Sequence, residues 1–137
     1  MNPIVRNILA VIAGLILGSA VNMGIIYISP YVIPLPDGAD NSSLETLKAT
    51  IHLLEPKHYI MTFLAHALGT FVGALAAAGI AANNKMKLAM LIGVLFLIGG
   101  ISAVAMIPAP MWFNVTDLVC AYLPMAFIAG KIMSGKR

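Results

Sequence analysis

The chain has 137 residues, of which 61% are hydrophobic and 9% charged, and its mean hydropathy is +0.97. A soluble domain carries roughly 25% charged residues, so this composition excludes an ordinary soluble globule, a disordered tail and a nucleic-acid-binding domain. The net charge of +3 then reads as basic residues placed at membrane boundaries. The expected class is all-α: a polytopic membrane protein with a single domain over 1–137, a four-helix transmembrane bundle carrying a short outer amphipathic helix.

Four apolar runs stand out, at about 3–28, 58–82, 88–107 and 111–133. Each reaches the roughly 20 residues that span a bilayer at ~1.5 Å per residue. No strand alternation is visible, and satisfaction of the backbone in lipid then requires helix. The first run contains Arg6 and a Gly18-Ser19-Ala20 stretch resembling a signal-peptide cleavage site. It continues to Ile28, which is too long for a typical signal-peptide core, so it is expected to be retained as a span.

The one long connection covers 29–57. Its first part is rich in Pro, Gly and Asp and reads as irregular loop. Ser42 with Glu45 fits a capping box, and Leu44, Leu47, Ile51 and Leu54 recur at helical spacing. A helix is therefore expected over about 43–55, lying at the outer membrane surface and ended by Pro56. The third run ends at Pro108-Ala109-Pro110, and Pro124 predicts a kink in the fourth about two turns beyond Asp117.

Six basic residues (Arg6, Lys85, Lys87, Lys131, Lys136 and Arg137) fall on one side of this arrangement. The other side has Lys48 and Lys57, diluted by Asp37, Asp40, Glu45 and Glu55. The positive-inside bias places both termini in the cytoplasm, with a bacterial inner membrane as the expected setting.

Polar groups at membrane depth tend to face a bundle interior or a cavity. Asn22, His66 and Asp117 lie roughly 9, 12 and 8 Å inside the outer ends of the first, second and fourth spans, at ~1.5 Å per residue. His58, Thr62, His66 and Thr70 share one face of the second span, and Asn114 and Asp117 share one face of the fourth. A His66–Asp117 hydrogen bond would hold the imidazole in one tautomer. His66, Asp117, Asn22, Thr62, Thr70 and Asn114 are therefore the candidate ligand-binding or proton-relay residues. Gly14, Gly18, Gly69, Gly73, Gly99 and Gly100 are the candidate helix-packing residues, since small residues at this spacing let backbones approach.

The sequence has no zinc spacing, no HExxH, no GxSxG and no phosphate-binding loop, so neither a metal nor a cofactor is expected. Cys120 is single and forms no intrachain disulfide. The leading expectation is a small membrane protein that binds or conducts a small solute, a proton or a lipid headgroup through an outward-facing polar cavity. One alternative is an accessory or assembly subunit of a larger membrane complex. Another is a membrane-embedded enzyme using His66 and Asp117 as an acid–base pair. The expected partners are the lipid bilayer and, beyond it, further copies of the chain or a larger membrane complex, with no nucleic acid.

Overall fold

The computed structural model describes residues 1–135. Lys136 and Arg137, part of the basic set above, lie outside the described residues. The elements follow in the order α1 (Pro3–Val32), α2 (Leu44–Thr50) with a 3-10 turn (Ile51–Leu53), α3 (His58–Ile80), α4 (Lys85–Met106), α5 (Met111–Cys120) and α6 (Leu123–Ser134). The described residues are all-helical. Four stretches are long and apolar enough to cross a membrane: α1, α3, α4, and α5 with α6 taken together over Met111–Ser134.

The Asn2 side chain caps α1 by accepting from the Ile4 N–H at 2.8 Å, with Pro3 in the first turn. Proline suits that position because its missing N–H would have no helical partner. At the far end α1 continues past Ser29-Pro30, where the sequence predicts a stop, and closes at Ile33. Pro30 cannot donate to the Ile26 carbonyl. The Ser29 hydroxyl donates to that same carbonyl at 2.8 Å, so the vacant acceptor is filled and the helix goes on.

α3 is the central element and packs against α1, α4 and α6. Its contact with α1 is backbone against backbone. A Cβ on Gly14 would lie 2.6 Å from the Gly73 carbonyl oxygen, and one on Gly73 would lie 2.7 Å from that of Gly14. Gly18 and Gly69 repeat this reciprocal arrangement one turn along, at 2.7 and 2.9 Å. Such approach is open only to glycine and lets Cα–H groups meet carbonyl oxygens across the interface. Around it, Ala74, Ala77, Ala78, Ala89, Ala126 and Ala129 with Ile92 form a small-residue core joining α3, α4 and α6.

The two ends of the bundle differ. At one, Arg6 Nε donates to the Ile80 carbonyl at 2.6 Å, Asn7 bonds Asn83 and the Ala82 N–H, and Lys85 Nζ reaches the Met133 carbonyl at 3.3 Å. At the other, the connection between α1 and α3 folds back, and Ile51, Leu47 and Leu54 pack with Tyr59 and Phe113. The capping box of α2 is formed by Ser43 and Thr46, one residue beyond the predicted Ser42 and Glu45. The Ser42 N–H is engaged instead by Asp40 Oδ1 at 2.8 Å, a bond that holds the Asp40 carboxyl below its ordinary range.

The fourth apolar stretch is broken, not merely kinked. α5 ends at Cys120, Tyr122 has the non-helical torsions φ −112 and ψ −80, and α6 begins at Leu123. Pro124 offers no N–H to the Cys120 carbonyl, and its ring disfavours helical geometry just before it. The break comes about one turn beyond Asp117, nearer than the sequence suggests, and it turns the Tyr122 ring into the bundle, where Tyr122 is 2% exposed.

Candidate functional site

His66 on α3 and Asp117 on α5 meet directly. His66 Nδ1 lies 2.8 Å from Asp117 Oδ1 and 2.9 Å from Oδ2. Asp117, a carboxylate 3% exposed, accepts a second hydrogen bond, from the Tyr122 hydroxyl at 3.0 Å. The Tyr122 ring also stacks on the imidazole, with centroids 5.7 Å apart. A carboxylate at this burial is costly unless its oxygens are engaged, and here both are. With Nδ1–H directed at Asp117, the other ring nitrogen of His66 is left without a partner among the described residues. It accepts a proton donor when the ring is neutral and donates when the ring is protonated.

This cluster lies at the base of a cavity of about 240 Å³. The walls are mostly apolar: Ile26, Ile51, Val104, Ile107 and Phe113. Thr62, Asn114, His58, His66 and Asp117 supply polar groups from the helices, and Ser29, Asn41 and Thr50 add others from α1 and the connection. Asp40 stands on the same wall in the α1–α3 connection. Because its folded carboxyl is lowered, whatever stability it lends that turn is present above the ordinary aspartate range and lost as pH falls through the lowered value.

Not all the candidate residues join this cavity. Thr70 is fully buried one turn beyond His66, and its hydroxyl donates to the His66 carbonyl at 2.8 Å. It satisfies itself on its own helix and lines neither hollow. The Asn114 amide donates to the Ala109 carbonyl at 3.3 Å, bracing the turn before α5 while lining the cavity. Asn22 lines an adjoining hollow of about 260 Å³ with His66, Phe96, Gly99, Gly100, Ala103 and Tyr122. Its Oδ1 is buried and has no hydrogen-bond partner among the described residues.

The glycine expectations divide in the same way. Gly14, Gly18, Gly69 and Gly73 are used within the chain, between α1 and α3. Gly99 touches nothing: a Cβ there would meet no atom within 4 Å, so it is not a packing residue of this chain. Gly100 makes room for a residue the sequence argument passed over, because a Cβ on it would lie 2.5 Å from the Tyr122 hydroxyl oxygen. Tyr122 is the only hydroxyl-bearing aromatic in the fourth apolar run, close before its proline, and that was the available signal. The expected contrast is sharp for neighbouring positions. Gly100→Ala displaces Tyr122 from Asp117 and lowers stability by about 1–3 kcal/mol. Gly99→Ala is neutral or adds up to about 1 kcal/mol through helix propensity. Thermal unfolding of both variants in the same detergent checks this.

The connection over the cavity is held by His58. Its Nδ1 accepts from the Glu55 N–H at 2.8 Å, and its Nε2 lies 3.0 Å from the Pro34 carbonyl. This pairing requires the neutral ring with its proton on Nε2, and it clamps the start of the connection to its end. His58→Ala releases two hydrogen bonds of about 1 kcal/mol each. The backbone N–H groups of Leu35 and of 37–55 are then expected to exchange about tenfold faster or more, as measured by hydrogen exchange, with the amides of α3 beyond Ala65 unchanged.

Comparison with family models, with curated proteins and with solved structures finds no match for this chain.

Proposed function

We propose that this chain is a multi-pass membrane protein that binds a small ligand with a polar head in an outward-facing cavity, with His66 as the contacting group and Asp117 and Tyr122 as its supports. The observation that carries the reading is the His66–Asp117–Tyr122 cluster at the base of the cavity, with one imidazole nitrogen unpartnered among the described residues. Membrane insertion is supported by the large apolar side chains left exposed around the bundle, among them Ile8, Ile16 and Met23 on α1, Ile98 and Ile101 on α4, and Val119 and Phe127 on α5 and α6. A soluble surface would not carry such a girdle. The positive-inside bias puts the end holding Arg6, Lys85, Lys87 and Lys131 in the cytoplasm, so the cavity faces outward. α2 and its 3-10 turn then form a short amphipathic cover at the outer surface.

Binding is favoured over conduction. Beyond His66 the bundle is packed with Thr70, Ala74, Ala77 and Ala78, each fully buried, and the Thr70 hydroxyl is turned back onto its own helix. The test is native mass spectrometry of protein released from membranes in mild detergent. A discrete small-molecule mass is expected on the wild type, reduced about tenfold in Asp117→Asn and His66→Gln, in line with loss of about one strong hydrogen bond. Bulk lipid alone, or a bound mass indifferent to both substitutions, contradicts the proposal.

A further inference from the structure

We infer, on the basis of the binding reading above, that the ligand is an amphiphile with a hydroxyl head, entering sideways between α1 and α4, its head between His66 and Asn22 and its tail in the gap between the two helices. Four observations lead there. α1 lies along α3 and makes only sparse contact with α4. The space between them is the hollow of Asn22, His66, Phe96, Gly99, Gly100 and Ala103, and it shares His66, Gly100 and Ala103 with the cavity under the connection. The mouth is bare, because Gly99 is exposed and no atom lies within 4 Å of where its Cβ would be. The mouth is also deep: Gly99 stands seven residues before Met106 at the end of α4, about 10 Å down the helix. On the same helix Leu95 and Ile98 are exposed, and across the gap Met23, next to Asn22 on α1, is exposed as well. A molecule entering at that level comes from hydrocarbon.

The head group follows from the two atoms that wait for a partner. Asn22 Oδ1 is buried and unpaired, and it accepts. The free ring nitrogen of His66 accepts when the ring is neutral and donates when it is protonated, and the Asn22 amide carries a donor beside its acceptor. A hydroxyl donates and accepts at once, so it pairs with the ring nitrogen in either form and with the Asn22 amide. A carboxylate or phosphate head would bring its charge against the unpaired Asn22 oxygen and close to the buried Asp117. A methyl ether has nothing to give Asn22.

The experiment uses the full chain in phosphatidylcholine nanodiscs and a long-chain primary alcohol carrying a mid-chain diazirine. The matching carboxylic acid and methyl ether serve as comparison probes. Photo-adducts of the alcohol are expected at the mouth, on Met23, Ile26 and Ala103 or their neighbours, and about tenfold above those of the ether, the effect of one hydrogen bond or slightly more. Asn22→Ala, which keeps the Cβ that packs on Gly69, and Gly99→Leu, which places an apolar side chain in the mouth from a Cβ position with no atom within 4 Å, are each expected to remove that excess. Competition by unlabelled prenyl alcohol assigns an isoprenoid source, and competition by diacylglycerol assigns a glycerolipid source; competition by neither overturns the inference. Equal labelling by alcohol, ether and acid, adducts scattered around the bundle, or indifference to both substitutions also overturns it. If those results come while the co-purified mass still depends on Asp117, the binding reading stands and only the lateral amphiphile falls. If that mass is absent as well, both fall.

Discussion

Gly14→Ala is expected to lower stability by about 2–3 kcal/mol, the upper part of the range for overpacking a rigid contact. The added methyl would lie 2.6 Å from the Gly73 carbonyl oxygen, 2.9 Å from the Ala77 Cβ and 3.0 Å from Ile92. Two of these neighbours are backbone or Cβ atoms that no rotamer change can move, so α1 must shift away from α3. That shift reaches the site, because Asn22 follows Gly18 by one helical turn on the same face and packs over Gly69. Gly18→Ala is expected to behave alike. Gly24→Ala on the same helix meets nothing within 4 Å and is expected to be neutral or to stabilise by up to about 1 kcal/mol. Comparison of unfolding midpoints for Gly14→Ala and Gly24→Ala separates a helix contact from a general intolerance of substitution. Equal midpoints would mean that α1 and α3 do not meet at these glycines.

The second large effect is at Asp117. Asp117→Ala leaves the Tyr122 hydroxyl and His66 Nδ1 facing an empty space, and the expected loss is about 3 kcal/mol, as for removing one partner of a buried charged pair. Asp117→Asn keeps the shape and part of the hydrogen bonding, and about 1 kcal/mol is expected. A typical interhelical hydrogen bond in a membrane protein contributes only about 0.6 kcal/mol. The alanine effect should stand well above that, because one carboxylate ties α3, α5 and the start of α6 together. In a double-mutant cycle, Asp117→Asn and Tyr122→Phe should couple, so that the double variant loses less than the sum of the singles. Strict additivity would show that the Tyr122 hydroxyl does not bond Asp117 in solution.

The all-helical character and the four long apolar helices were legible because hydropathy and length act residue by residue. So was the His66–Asp117 meeting, since two costly polar groups at similar depth on neighbouring helices have few other places to go. Other features depend on local chemistry that pattern does not report. α1 passes Pro30 because one serine hydroxyl happens to reach the carbonyl that the proline leaves free. The capping box sits one residue on because Asp40 takes the Ser42 N–H. Thr70 shares a helix face with His66 but turns its hydroxyl back to its own helix. Gly99 and Gly100 are adjacent and both small, yet one faces open space and the other a tyrosine ring. Tyr122 was missed because its place in the cluster depends on the broken helix, and a proline in a sequence predicts a disturbance without its direction.

The most direct test of the account is an experimental density map of the protein taken from native membranes without delipidation. The prediction is continuous density in the cavity, ending within hydrogen-bond distance of the free imidazole nitrogen of His66, while Nδ1 remains on Asp117. A cavity filled by the chain's own side chains, or His66 turned away from Asp117, would contradict it.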